Sequence, residues 1–296
     1  MHRTFLRAGV LAALAVPALL ALPAHPAAAD TTVAADPTAQ NVTTYGSASA
    51  WSRKAGDGTY HLVVSQNGQS ADAPVPASGR PYDPDLGPTK ANGRTIVYAR
   101  DGDLYRYDVG APAERKLTAL SSDAPEVAPS FFKDAVVFSR TSGTKPGLYL
   151  SRPGRGLKRL FRKPAAETDL AATRVVGRFG ESTHSLIRVL NFGGDQVRIV
   201  ARAKTEQRVA SPTLSRFNAY WLRIGSTLTG VETVGVNAHR GLTVKHADRR
   251  LTGQVTSLSI TNIPTLYTNA EGVQRIDPKL KFAEPGLSLG GRYAAR

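Results

Sequence analysis

The chain has 296 residues, with 38 Lys or Arg against 23 Asp or Glu, and therefore a formal charge of +15. It contains no cysteine, which excludes disulfides, thiolate catalysis, thiolate metal ligands and the lipidated cysteine of a bacterial lipoprotein. A chain of this length can bury a sizeable core, and its basic charge favours anionic partners.

The first 29 residues have the three parts of a secretory signal peptide. Arg3 and Arg7 form the basic start, an apolar run covers 8–24, and Ala29 provides a small residue at the cleavage site. An uncleaved anchor would need roughly 20 apolar residues, and this run is shorter and contains Pro17. We expect a signal peptide at 1–29 and a secreted or extracytoplasmic protein, free or associated with the cell wall, without a transmembrane segment and with a charge of +13.

After the signal, the chain is predicted to consist of short strands. Residues 30–40 are small and polar without periodicity, which predicts a flexible lead-in. Residues 95–100 and 103–108 are rich in β-branched and aromatic side chains and flank Asp101-Gly102, a pattern typical of a β-hairpin. Helical periodicity is missing throughout.

A unit with one characteristic strand recurs six times. The anchor residues of that strand are separated by 47, 40, 39, 44 and 46 positions, a spacing typical of propeller blades. The six anchors are Trp51, Tyr98, Phe138, Gly177, Trp221 and Tyr267. A single blade cannot bury both of its faces, so blades stack around an axis. The aromatic anchors are therefore interpreted as packing residues, and Gly177 departs from their pattern.

The predicted fold class is all-β, a six-bladed β-propeller over 41–296. The expected blades are 41–79, 80–122, 123–165, 166–210, 211–251 and 252–285. How the ring closes remains open: an N-terminal strand could join the last blade, or the ring could close in another way.

Part of the repeat resembles the TolB-like propeller family. A unit of that family has an inner strand near a Ser-Pro-Asp-Gly turn, an Ile-Ala-Phe-type strand, an Asp-Ile-Tyr-type strand and an Arg-x-Leu-Thr end. Residues 83–87, 96–99, 103–105 and 115–118 match these parts in order, and 125–160 and 209–221 are similar. The resemblance implies a six-bladed propeller. It implies little about activity, because such propellers serve as partner-binding platforms and as gating domains in front of peptidases.

No catalytic, cofactor or metal site is predicted. The sequence Gly286-Leu-Ser-Leu-Gly290 matches a nucleophile elbow, but no histidine follows it. No two histidines have the spacing of a helical metal site. Asp101-Gly-Asp103 and Asp83-Pro-Asp85 are interpreted as turns rather than calcium ligands. Carboxylates from separate blades could still meet in the channel, which the spacing leaves open.

A strongly basic segment lies between Asp134 and Glu167, where no acidic residue occurs. These charges are either solvated edge-strand residues that prevent strand pairing or a face for an anionic partner. Gly154 and Gly156 predict a turn that projects basic residues from the blade edge. The candidate face consists of Arg152, Arg155, Lys158, Arg159, Arg162 and Lys163.

Architecture and charge favour an exported, non-enzymatic propeller that binds a protein or an anionic cell-envelope polymer, expected to be a monomer. The alternative is a glycan-active hydrolase or lyase with carboxylates in the central channel. A small-ligand or nucleic-acid binder is the third hypothesis, and it is disfavoured because the aromatic residues are committed to packing.

Overall fold

The computed structural model describes residues 31–180, 184–194, 197–204, 207–215, 218–225, 229–235, 245–247, 257–260 and 265–275. The predicted signal peptide and the segment around Ser288 lie outside these residues. The described residues form 24 strands and include a one-turn 3-10 helix at Thr118–Leu120. No described helix is long and apolar enough to cross a membrane.

The strands form six four-stranded antiparallel sheets, which we number as blades in chain order. Blade 1 contains β2 (Gln40–Tyr45), β3 (Ala48–Lys54), β4 (Tyr60–Gln66) and β5 (Gln69–Asp72). Blade 2 contains β6 (Asp85–Pro88), β7 (Arg94–Arg100), β8 (Asp103–Asp108) and β9 (Arg115–Lys116). Blade 3 contains β10 (Glu126–Phe132), β11 (Ala135–Arg140), β12 (Gly147–Arg152) and β13 (Arg155–Phe161).

The remaining three blades repeat the same order of strands. Blade 4 contains β14 (Glu167–Ala171), β15 (Arg174–Phe179), β16 (Leu186–Asn191) and β17 (Val197–Arg202). Blade 5 contains β18 (Arg208–Leu214), β19 (Asn218–Ile224), β20 (Thr229–Gly235) and β21 (Lys245–Ala247). Blade 6 contains β22 (Ser257–Ile260), β23 (Thr265–Asn269), β24 (Gly272–Arg275) and β1 (Thr31–Ala34).

The six blades stand in a closed ring, which confirms the predicted fold class. The first strands of the blades, β2, β6, β10, β14, β18 and β22, contact one another in that order, and β22 contacts β2 again. Because neighbouring strands are antiparallel, the turns after the first and third strands of every blade lie at one end of the ring, which we call the front. The turns after the second strands lie at the back.

The segment predicted as a flexible lead-in is instead structured and closes the ring. Within 30–40, β1 pairs with β24 and becomes the outer strand of blade 6. The hydroxyl of Thr32 donates to Gln274 Oε1 at 3.0 Å, and the indole N–H of the buried Trp51 donates to Asp36 Oδ2 at 2.8 Å. The prediction was wrong because these contacts join residues that are distant in sequence, which local periodicity does not record.

Apolar side chains fill the spaces between blades, as the stacking argument predicts. Tyr98, Phe138, Trp221 and Tyr267 are all fully buried, which confirms that these anchors pack. Gly177 occupies the same strand position in β15, but a Cβ there would lie 3.1 Å from the ring of Phe179 and 3.2 Å from Ala165. Neighbouring side chains thus fill the volume that the anchor fills in other blades.

The predicted hairpin of blade 2 is also confirmed. β7 and β8 pair in register up to Arg100 and Asp103, and the two residues between them have φ values of 54° and 85°. Positive φ at both positions is the requirement of a type I′ turn, which Asp101-Gly102 satisfies readily.

Candidate functional site

Hydrogen bonds from side chains join consecutive blades around the central axis. Five first strands carry a short polar side chain at the same position: Thr43, Asp85, Ser130, Asp169 and Thr213. Three of these accept a backbone N–H from the next blade: Leu86 N–H donates to Thr43 Oγ1 (2.9 Å), Phe131 N–H to Asp85 Oδ2 (2.6 Å) and Leu214 N–H to Asp169 Oδ2 (2.5 Å). The backbone groups facing the axis are thereby satisfied without a sheet that crosses the blade boundary.

Asp85 and Asp169 come close to each other through Ser130. The Ser130 hydroxyl donates to Asp85 Oδ2 at 2.7 Å and lies 3.4 Å from Asp169 Oδ1. Asp169 also accepts the N–H of Leu170 and the hydroxyl of Thr213. A single hydroxyl has one proton to donate, so the two carboxylates compete for it.

Their surroundings favour the protonated form of both carboxyl groups. Enclosure by protein, followed by the negative charge of Asp85, raises the pKa of Asp169 to about 7. Enclosure also raises the pKa of Asp85, although the hydrogen bonds from Ser130 and Phe131 oppose the shift. Neither carboxylate forms a salt bridge with a Lys or Arg in the described part of the chain.

Two further carboxylates lie nearer the back of the channel. Asp83 accepts the backbone N–H groups of Ala99 at 2.9 Å and Ala128 at 3.0 Å, and enclosure raises its pKa to about 7. Glu167 accepts the N–H of Ser211 at 2.6 Å and pairs with Arg178 at 2.8 Å. Both residues therefore link one blade to the next.

The prediction that Asp83-Pro-Asp85 forms a turn was therefore wrong. Asp85 is the first residue of β6 and pairs with Val97 of β7. The Asp-Pro-Asp pattern looks like a turn in one dimension, because Pro84 interrupts local periodicity. In the folded ring the two carboxylates are instead held by donors about 45 residues further along the chain.

A cavity of about 750 Å³ opens at the front of the channel. Asp85 and Asp169 lie at its inner end, where it meets a smaller cavity of about 160 Å³ that contacts both residues from the back. Phe132 and Phe192 contribute to the wall, and four basic side chains line the cavity: Lys90, Lys133, Arg152 and Arg155. We call these four residues the basic mouth.

The side chains of the basic mouth form no ion pair with any described residue. Lys133 lies 5.7 Å from the ring centre of Phe132, and Arg152 lies 5.3 Å from that of Phe192. Such contacts attract a cation to an aromatic face and restrict its motion. The neighbouring carboxylate of Asp134 is engaged by Arg106 at 3.3 Å.

The structure divides the candidate face predicted from the sequence. Arg152 and Arg155 lie at the front, on either side of the β12–β13 turn, and belong to the basic mouth. Arg162 and Lys163 follow the last residue of β13 and are exposed at the back. A strand of seven residues spans about 23 Å, so the two pairs lie at opposite ends of the blade.

The two remaining residues of that face contact the protein itself. The ammonium group of Lys158 donates to the carbonyl of Gly193 in blade 4 at 2.5 Å. Arg159 is half-buried and donates to the carbonyl of Pro146 and to that of Arg162. The predicted set is therefore not a single surface.

Sequence reasoning missed Lys90 and Lys133 altogether. Each lies in the turn after the first strand of its blade, Lys90 after β6 and Lys133 after β10. Once the blade repeat is aligned, every such turn falls at the front beside the axis. The blade alignment, rather than the density of charge along the chain, was the signal that could have found them.

The described residues of the channel offer hydrogen-bonding groups, carboxyl groups with raised pKa values, and cations that can attract an anion. No group of three or more His, Asp or Glu side chains in the described ranges is placed to bind a metal ion. All four carboxylate oxygens of Asp85 and Asp169 accept hydrogen bonds from the chain, whereas the side chains of the basic mouth have no ion-pair partner among the described residues.

Fold and site together define a closed six-bladed β-propeller with a basic entrance to an axial cavity. The sequence matches no protein-family model, and no curated protein matches it. Solved structures do match. The putative TolB from Agrobacterium tumefaciens has 8% identity and a TM-score of 0.54, with 70% of this chain and 79% of that chain covered.

Two other solved structures extend the comparison. TolB from Acinetobacter baumannii has 16% identity and a TM-score of 0.51, and the match covers 73% of this chain and 59% of that one. The β-propeller domain of the Trilobed protease from Pyrococcus furiosus has 11% identity and a TM-score of 0.50, with 84% and 86% covered. That domain has an open velcro topology, whereas β1 closes this ring. At these identities the likeness shows the fold, which is a TolB-like six-bladed propeller.

Proposed function

We propose that this protein is an exported, non-enzymatic propeller that binds an anionic partner, either a cell-envelope polymer or a protein, at its basic mouth. The observation that carries the proposal is a cavity of about 750 Å³ lined by four basic side chains that have no ion-pair partner among the described residues. Export is supported by the signal-like pattern of residues 1–29.

The arrangement of the cations favours binding over a role in stability. Exposed ion pairs add little to stability, but cations without partners at the opening of a cavity attract anions from solution. Phe132 restricts the side chain of Lys133, and Phe192 restricts that of Arg152. Each side chain therefore loses less conformational entropy when a ligand binds. The charge of +13 expected without residues 1–29 adds a long-range attraction.

The proposal is tested by reversing charge at one end of the ring only. The double variant Lys133→Glu/Arg155→Glu changes the basic mouth, and Arg162→Glu/Lys163→Glu makes the same change in net charge at the back. We expect the first variant to bind isolated cell envelope and an anionic polymer such as dextran sulfate about tenfold more weakly. The second should bind like the unmodified protein.

Equal loss in both variants would mean that net charge, not the mouth, determines binding, and the proposal would then be wrong. Circular dichroism and thermal unfolding of the two variants show whether each is folded. Since all four replaced side chains are exposed, both variants should unfold near the temperature of the unmodified protein.

One observation favours a second candidate function, a glycan-active enzyme. Asp85 and Asp169 lie at the inner end of the cavity, and both lie within 3.4 Å of the Ser130 hydroxyl. Paired carboxylates a few Å apart act in many glycosidases. Release of reducing sugar ends from envelope glycans by the unmodified protein, lost in Asp85→Asn, would establish this alternative and contradict the non-enzymatic proposal.

A further inference from the structure

The inner end of the front cavity holds two carboxyl groups that a bound anion would face. We propose that anion binding at the basic mouth is coupled to the uptake of a proton by the Asp85–Asp169 pair, so that the site binds more tightly as the pH falls. This inference rests on the proposed function, because it concerns the regulation of the same site.

The geometry of the pair makes double ionisation unfavourable. The Ser130 hydroxyl lies 2.7 Å from Asp85 Oδ2 and 3.4 Å from Asp169 Oδ1, so these oxygens are no more than about 6 Å apart. Two negative charges at this distance in a partly enclosed site repel each other strongly. Ser130 can donate its proton to one carboxylate only, and the other then lacks that donor.

The described groups around the pair do not neutralise it. The first strands of blades 1, 3 and 5 contribute the neutral hydroxyls of Thr43, Ser130 and Thr213, and β22 contributes the neutral Ser257 on the back side. The other described carboxylates on the back side are Asp83, which precedes β6, and Glu167 of β14, whose charge is paired with Arg178 of β15. The nearest cations that line the same cavity are those of the basic mouth.

An ionised pair would therefore weaken the attraction that the basic mouth exerts on an anion. Protonation of one carboxyl removes a negative charge from the inner end of the cavity, and the attraction increases. Binding and protonation are then reciprocal: a bound anion raises the proton affinity of the pair by the same factor. Enclosure raises the pKa of Asp169 to about 7, which places the change near neutral pH.

The cations of the basic mouth do not themselves titrate in the pH range of the proposed coupling. Lys and Arg keep their charge between pH 5 and 8, and the described residues that line the cavity include no histidine. A pH dependence of binding over this range would therefore come from carboxyl groups in the channel rather than from the cations. The probe must also keep its charge, and a sulfate ester does so where a phosphate monoester does not.

The test measures binding of a short sulfated oligosaccharide at constant ionic strength at pH 5.5 and pH 8. We expect binding about tenfold tighter at pH 5.5 for the unmodified protein. Asp169→Asn should remove most of this difference and bind at pH 8 nearly as tightly as the unmodified protein does at pH 5.5. Asp123→Asn is the matched control, because Asp123 is exposed at the back, and it should keep the full difference.

A second measurement needs no substitution. Calorimetric titration of the unmodified protein at pH 7 in two buffers of different ionisation enthalpy reports the protons taken up on binding, and we expect uptake of up to one proton per ligand. Binding with the same affinity at both pH values and without proton uptake would overturn the inference and leave the proposed function standing. No binding at either pH would overturn the proposed function itself.

Discussion

At the axis, single side chains form the hydrogen bonds between blades, whereas strand pairing forms those within each blade. Asp85 and Asp169 each accept a backbone N–H from the following blade, at 2.6 Å and 2.5 Å, and Thr43 does the same with a hydroxyl. A carboxylate removed from water destabilises a fold unless donors surround it. These carboxylates are surrounded by donors. Their contribution to the free energy of unfolding therefore depends on whether they are protonated.

The free energy of unfolding should therefore fall as the pH rises from about 5 to about 7. In the folded protein the pKa values of Asp83 and Asp169 are about 7, against 3.8 for an ordinary Asp. Over this window the folded chain retains protons that the unfolded chain has lost, and each contributes a slope of up to about 1.4 kcal/mol per pH unit. Urea unfolding at pH 5, 6 and 7 measures the slope.

Asp169→Asn should make this pH dependence shallower, whereas the exposed control Asp123→Asn should leave it unchanged. Stability that is constant or increases between pH 5 and 7 in the unmodified protein would contradict the expectation. Groups with lowered pKa values, such as Asp103 and Asp108, act in the opposite direction, but only near pH 4 and below.

At the scale of the element, the short strand β1 determines whether the ring is closed. It has four residues and pairs with β24 through a register shift between Thr32 and Ala34. Gly272 begins β24 with φ +118°, and a Cβ there would overlap the backbone of Ala34 and Asp36. The close approach of the two segments therefore requires glycine at this position.

Gly272→Ala should open the contact between β1 and β24 and lower the stability of the whole propeller by about 2 kcal/mol or more. Hydrogen exchange should show the loss of protection concentrated in these two strands. The control Gly58→Ala also replaces a glycine with positive φ, +87°, but no described residue lies within 4 Å of its new Cβ, and it should destabilise less. Equal destabilisation would show that backbone strain, not the contact with β1, explains the effect.

The second strand of most blades was predictable from the sequence because it carries a large aromatic side chain at a recurring position, although Gly177 takes that position in blade 4. Trp51, Tyr98, Phe138 and Trp221 lie in β3, β7, β11 and β19, and their spacing gave the number of blades. β1 was not predictable in the same way. Four small residues have no periodicity of their own, and their partner lies more than 240 positions away.

On the scale of the whole molecule, charge is distributed along the axis. The front carries the basic mouth, while the back half of the channel is lined by Asp83, Asp85, Glu167 and Asp169. The density of Lys and Arg in 140–163 predicted a basic surface but not its location. The strand β13 runs from the front of the ring to the back, so basic residues that are close in sequence lie at opposite ends of the blade. Arg152 and Arg155 were found in this way, and Lys90 and Lys133 were not.

Binding at the front should weaken steeply with salt. The Debye length, beyond which the attraction between exposed charges is largely screened, is about 30 Å at 0.01 M ionic strength and about 3 Å at 1 M. We expect affinity for dextran sulfate to fall with rising salt, and Lys133→Glu/Arg155→Glu to show a shallower dependence than Arg162→Glu/Lys163→Glu. Affinity that does not respond to salt would contradict the electrostatic basis of the site.

The pairing of β1 with β24 also sets the order in which the molecule can be completed. The Thr32–Gln274 hydrogen bond joins residues 242 positions apart, and contacts of such separation form late because the intervening chain must first be ordered. During synthesis, β1 must wait with its edge exposed until β24, more than 240 positions further along the chain, has emerged. Over that interval five sheets can assemble while the sixth lacks its outer strand, and its unpaired edge can pair with a strand of another chain.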